Sequence, residues 1–244
     1  MKRGSRAGLT LMEVLVAVTL LSLLSVGMLF AIRIALNAMQ KTNHRLTSNR
    51  RVLSSQRILE QQIAGLVPVA AEFRNQPEAP LGRMSFFQGE PQSMRFVSTF
   101  SLDEASRGYP RILEFQVIPG EEGRGVRLVV NERLYAGPLS AGVFCLGYSP
   151  DPVLGPAVPR FRPIEVGTQS FVLADRLAFC RFLYQERLPG PPLELWVPQW
   201  VKPLLPSAVR IEMGPLGEDL ARVRPLTLTA PLRVDREPLE VYAP

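Results

Sequence analysis

Residues 9–32 read LTLMEVLVAVTLLSLLSVGMLFAI, an apolar run broken only by small polar residues, one glycine and a single carboxylate, Glu13. An α-helix rises about 1.5 Å per residue, so roughly twenty such residues cross the hydrocarbon core of a bilayer, whereas the apolar part of a secretory signal is typically about 7–15 residues. The run therefore predicts a membrane-spanning helix. Lys2, Arg3 and Arg6 precede it. By the positive-inside rule the N-terminus stays cytoplasmic and the chain beyond about Arg33 is sent across the membrane.

Glu13 distinguishes this run from a generic anchor, because an ionisable side chain inside a spanning helix costs on the order of 3 kcal/mol. Cleavage between Gly8 and Leu9 would make Glu13 the fifth residue of a chain that begins with an α-ammonium group. In a helical assembly the carboxylate of one subunit could then pair with the ammonium of its neighbour, neutralising both charges and fixing the axial offset. The stretch AGLTLMEVLVAVTLL at 7–21 resembles the prepilin signature of type IV pilins and type II secretion pseudopilins: a short basic leader, a glycine before the cut, a hydrophobic first mature residue and glutamate at mature position five. Gly8, Leu9 and Glu13 match those positions, with leucine where the family usually has phenylalanine. The resemblance implies processing by a prepilin peptidase after Gly8, N-methylation of Leu9 and a role for Glu13 in subunit assembly. A plain signal-anchor helix with an isolated glutamate, or an uncleaved secretory signal, is the alternative reading.

Beyond Ile32 the helical pattern continues. Met39, Leu46 and Leu53 recur at sevens, as do Val52, Leu59 and Leu66, with Ile63 between them. This is a narrow apolar seam on a helix whose remaining positions, such as Lys41, Asn49, Arg57 and Glu60, suit water. The pattern predicts one helix over 9–67, stopped by Pro68. The seam would pack on a domain, or on a second chain as a coiled coil; Gln56 interrupts the latter pattern.

From Met84 the period changes to short apolar or alternating runs between prolines and glycines, and the 23 prolines and 18 glycines suit strands and turns better than a helical bundle. Strands are predicted at 93–100, 111–118, 125–134, 141–148, 175–187, 193–197, 208–213 and 227–232. PGEEG at 119–123 reads as a hairpin turn and the proline-rich 150–163 as a loop. The fold class is α+β, a long N-terminal helix laid across one face of an antiparallel sheet. It divides into a leader (1–8), a transmembrane or filament-core helix (9–32), its periplasmic continuation (33–67) and a β-rich domain (68–244). Within the pilin-like family, RILEF at 111–115 and WVPQWVKPLLPSAVRIEM at 196–213 resemble the minor pseudopilin J of type II secretion or W-type minor pilins. That resemblance implies a structural subunit at a filament tip, involved in protein secretion or in a pilus or competence system. Its partners would be other pilins or pseudopilins, the prepilin peptidase and inner-membrane lipid.

Other chemistries find little to work with. The net charge is +6, but the basic residues are divided among the leader, the long helix and scattered strand-like segments without a clustered stripe, so nucleic acid is not expected as a partner. His44 is the only histidine, and no G-x-S-x-G elbow, P-loop or dinucleotide fingerprint accompanies it. Asp103 with Glu104, and Glu121 with Glu122, lack the spacing of a calcium loop. Trp196 and Trp200 flank Pro198, as a contact patch or as core aromatics. Cys145 and Cys180 are too few for a disulfide framework and lack C-x-x-C spacing. They form either one disulfide in an exported domain, or two buried free thiols. No catalytic residue, cofactor or metal is expected. A signal-anchored periplasmic enzyme or binding domain stands as the reading from another class.

Overall fold

The computed structural model describes residues 11–74, 78, 80–102, 106–216 and 225–232. Helix α1 covers Leu11–Ala64 and is followed by β1 (Leu66–Val67), β2 (Ala70–Phe73), β3 (Gly82–Ser85), β4 (Gln88–Gly89), β5 (Ser93–Phe100), β6 (Arg107–Pro119) and β7 (Val126–Leu134). A short helix α2 (Pro138–Gly142) then leads to β8 (Cys145–Asp151), β9 (Gly155–Phe161), β10 (Phe171–Arg187), β11 (Glu194–Val197), β12 (Ala208–Pro215) and β13 (Leu226–Pro231). Two compact units divide at Arg50 and Arg51. The fold is α+β, as the change of period predicts.

In the second unit the strands form an antiparallel sheet in the order β1-β5-β6-β7-β10-β12-β13, with β4 also on β5 and β11 also on β10. Side chains alternate across it. Met94 and Phe96 of β5, Leu113 and Phe115 of β6 and Phe182 and Tyr184 of β10 enter one buried cluster, which also takes Leu59 and Ile63 from the last turns of α1. Each of those two aliphatic side chains contributes about 1.5–3 kcal/mol by leaving water. Ser55, one turn earlier and buried, donates its hydroxyl to the Leu173 carbonyl. The apolar seam of α1 is thus used from Leu59 onward against its own sheet. Val97 and Ile112 point the other way, into a second cluster with Ala71, Met84, Phe86, Ala141 and Cys145. That second face is covered by the β2–β3 hairpin, α2 and the β8–β9 hairpin.

Three sequence expectations change. The helix stops at Ala64, three residues short of Val67, and Pro68 is not what stops it. Leu66 and Val67 pair with Ser98 and Val97 of β5. Gly65 makes the close approach, since a Cβ there would meet Ser98 Oγ at 2.7 Å. Residues 141–148 are not one strand, because Pro138 opens α2 and the strand begins only at Cys145. The proline-rich 150–163 is mostly strand: β8 and β9 make a two-stranded ribbon in which each has only one neighbour, so prolines on the free side cost no ladder bond. The β2–β3 hairpin, four residues on each side, was not predicted at all. The turn at 119–123 holds, with a 3-10 turn at Glu121–Gly123 closed by the Gly120 N–H donating to the Gly125 carbonyl at 2.9 Å.

Candidate functional site: the exposed apolar helix and the buried ion pair

In the first unit every residue of α1 from Leu11 to Met39 is exposed, including Leu20, Leu24, Phe30 and Ile34. This stretch of 29 residues is one candidate membrane span and lies near the N-terminus. At about 1.5 Å per residue it reaches roughly 43 Å, against about 30 Å of hydrocarbon. An apolar surface on all sides of a helix belongs in lipid or in the core of an assembly. Its hydroxyls are compatible with either setting: Thr19, Ser22 and Ser25 donate to the carbonyls of Val16, Thr19 and Leu21 at 2.8–2.9 Å. Such local bonds satisfy a hydroxyl where no water is available.

Of the residues singled out in the sequence, Glu13 lies on α1, close to the first described residue. Gly8 and Leu9 lie outside the described residues, as do Asp103 and Glu104. Glu121 and Glu122 sit in the exposed turn and pair with Arg127 (2.8 Å) and Arg124 (2.5 Å). Trp200 is a core aromatic, its indole N–H donating to the Leu204 carbonyl at 2.6 Å. Trp196 is half-buried, with the Arg210 guanidinium 3.8 Å from its ring centre.

The disulfide considered for Cys145 and Cys180 is not formed. Cys180 belongs to the cluster beneath α1 and Cys145 to the cluster on the opposite face, so the sheet stands between the two thiols. Burial pushes both thiols up to about 12, Cys145 being drawn back somewhat by Arg95. They are protonated and unreactive in the folded chain.

Beside Cys145 the second face holds a charged network that no spacing in the sequence announces. Arg95 is completely buried and Glu114 almost so. The Arg95 guanidinium donates to Glu114 Oε1 at 2.8 Å, to Gln88 Oε1 at 2.6 Å and to the Arg162 carbonyl at 3.1 Å. Its carbon lies 4.9 Å from the centre of the Phe144 ring and 5.9 Å from that of Phe161. Glu114 Oε2 in turn accepts from Arg133 at 3.3 Å and Asn131 at 3.4 Å. Burial lowers the Arg95 pKa, and Glu114 opposes that shift. The network pins the β8–β9 hairpin and the chain that follows it to strands β4, β5 and β6. The available signal was two charged residues, Arg95 in SMRFVSTF and Glu114 in RILEF, inside strands with apolar neighbours on either side.

Comparison with models of known protein families and with curated proteins finds no match to this chain. Among the described residues the chain has one candidate N-terminal membrane-spanning helix, which fits a single-pass membrane anchor, and a β-rich unit with an antiparallel sheet.

Proposed function

We propose that the chain is a structural, non-catalytic subunit of a type IV pilin-like filament, a minor pseudopilin of a type II secretion pseudopilus, held in the inner membrane until assembly. The observation that carries this reading is Glu13 on a helix whose next 26 residues are all exposed and mostly apolar. A carboxylate in that position is costly in lipid, and a processed chain beginning at Leu9 would present the cation that offsets the cost in a neighbouring subunit. The β-rich unit would face the periplasm and contact other minor subunits at the filament tip. Its antiparallel sheet, with the end of α1 on one face, supports the reading at the level of fold class.

The test is processing. In cells that carry a prepilin peptidase, the parent chain should be shortened by the leader, and Gly8→Trp should accumulate at full length. Normal shortening of Gly8→Trp, or no shortening of the parent, would refute the assignment.

A further inference from the structure

Strands β1 and β13 are the two ends of the strand order, yet Leu66 of β1 and Leu228 and Ala230 of β13 share one buried cluster. Leu66 and Ala230 also line one groove, beside Ile63 and Ala64 of α1, with Glu60 and Thr229 exposed along it. The sheet therefore curls round the end of α1, and the groove lies between its two edges. On the β13 side that edge is a free ladder. The Leu232 N–H donates to the Ser207 carbonyl at 2.9 Å, and Ala230 and Leu228 stand opposite Val209 and Ile211. Backbone direction alternates along a strand, so Thr227 and Thr229 turn their N–H and C=O groups away from β12 and toward no described strand. Native edges are ordinarily blunted by charge, by a bulge or by brevity. Strand β13 reads LTLTAP over 226–231, with no charged residue and no shift of register, and only Pro231, at its end, lacks an N–H. Such an edge calls for a strand.

We propose that residues 238–243 of the same chain are that strand, folding back antiparallel along β13 to fill the groove. Residues 233–244, RVDREPLEVYAP, follow Leu232 and lie outside the described residues. Pattern, charge and tether select them. PLEVYA alternates with period two, and Pro238 stands first, where a strand accepts proline. With Leu239 opposite Ala230 and Val241 opposite Leu228, both apolar side chains turn to the buried cluster, while Glu240 and Tyr242 join exposed Thr229 and Thr227. A slip of one residue would turn Leu239 and Val241 to water. Arg210 stands opposite Thr229, stacks on Trp196 and has no carboxylate partner among the described residues. Glu240 then lies two strand spacings from Arg210, roughly 10 Å, a gap that the two side chains together bridge. Only residues 232–237 separate the segment from β13. So short a tether holds it at an effective concentration on the order of mM, which a second copy or a separate partner lacks. Closed in this way, the edge is withheld from other chains. The inference rests on the curled sheet and not on the membrane or filament readings.

Full-length chain in micelles, carrying Thr229→Cys with Glu240→Cys, tests the proposal by mild oxidation and mass spectrometry. A directly opposed pair has Cα atoms about 5.5 Å apart, within the range that a disulfide bridges. The two native thiols are buried and stay silent. A disulfide within one chain of 27.1 kDa should be the major product. Thr229→Cys with Val241→Cys, whose second thiol turns to the opposite face, should close at least about 10-fold more slowly. Adding Leu239→Asp to the first pair should slow closure about 10-fold, with tryptophan fluorescence unchanged as the check that the unit remains folded. A disulfide between two chains would make a second copy the occupant, and no disulfide would leave the edge to another protein or to water. Either result, equal rates at positions 240 and 241, or indifference to Leu239→Asp would overturn the proposal.

Discussion

Replacing Glu114 by alanine leaves the Arg95 guanidinium buried opposite an empty space. The two side chains are 0% and 2% exposed and lie 2.7 Å apart at closest approach, so water cannot replace the lost carboxylate without opening the sheet. Removing one partner of such a pair costs about 3–5 kcal/mol, chiefly because the other charge is left uncompensated. For a unit of this size, one kcal/mol moves Tm by about 2–4 °C, so Glu114→Ala should lower the midpoint by roughly 6–20 °C. The double replacement Arg95→Met with Glu114→Leu removes both charges and keeps apolar volume against Phe144 and Phe161. Gln88 and the Arg162 carbonyl lose a donor in that variant, a residual cost of about 1–3 kcal/mol, yet the double variant should be more stable than Glu114→Ala alone. Coupling of at least about 2 kcal/mol between the two sites is expected. The assay is denaturant or thermal unfolding of the full chain in micelles, followed by tryptophan fluorescence. Both tryptophans, Trp196 and Trp200, lie in the β-rich unit and report on it alone. If the double variant unfolds at the sum of the two single losses, the pair is not a mutually dependent buried charge pair and the reasoning fails.

Gly142→Ala should destabilise the β-rich unit by about 1–3 kcal/mol, because its Cβ would meet the Glu72 carbonyl oxygen at 1.8 Å and force α2 away from β2; an unchanged unfolding midpoint would show that this contact is not close. Cys145 and Cys180 should resist alkylation at pH 8 in the folded chain and react fully in denaturant, as read by mass spectrometry. Because their folded pKa values lie above the unfolded one, the native state keeps protons that the unfolded chain releases, so stability is full below about pH 8.5 and falls through about pH 12 by up to roughly 1.4 kcal/mol per unit for each thiol. Glu13→Val should be processed like the parent and fail to enter the filament, measured by the fraction recovered in sheared filaments; undiminished entry would remove the carboxylate from subunit register.

The elements that could be read from the sequence are those whose signal is local. Strand β5 was predicted at its observed bounds because SMRFVSTF is a short β-rich run with a turn on either side. The candidate membrane span was legible because a helix in lipid needs apolar residues on every side, which composition alone displays. Residues 150–163 were misread because five prolines are a local signal for a break, whereas their tolerance is a property of sheet position: β9 has a neighbour on one side only. The end of α1 was misread for a related reason, since it is Ser98 and Val97, more than thirty residues on, that draw Leu66 and Val67 into the sheet. The Arg95–Glu114 pair is non-local too: their strands are adjacent and antiparallel, and Arg95 stands directly opposite Glu114 only once that register is set.

The same helix meets two different demands along its length, and side-chain chemistry separates them. Between Leu11 and Met39 the apolar residues occupy every side and all are exposed, a pattern that only a second apolar phase satisfies. Between Ser55 and Ala64 they occupy one side: Leu59 and Ile63 are buried with Ser55 and Gln62, while Arg57, Glu60 and Ala64 are exposed. One-sided burial is the requirement of a helix lying on a sheet in water, and Leu59 and Ile63 meet it within their own chain. The span from Leu11 to Met39 is exposed along its whole length, and an apolar surface of that kind is satisfied by lipid or by other helices. A subunit that passes from a bilayer into a filament would exchange one of these for the other without changing its sequence. Glu13 is the one carboxylate of that span, and its preference differs between the two settings, since a carboxylate gains from a neighbour's cation and gains nothing from lipid.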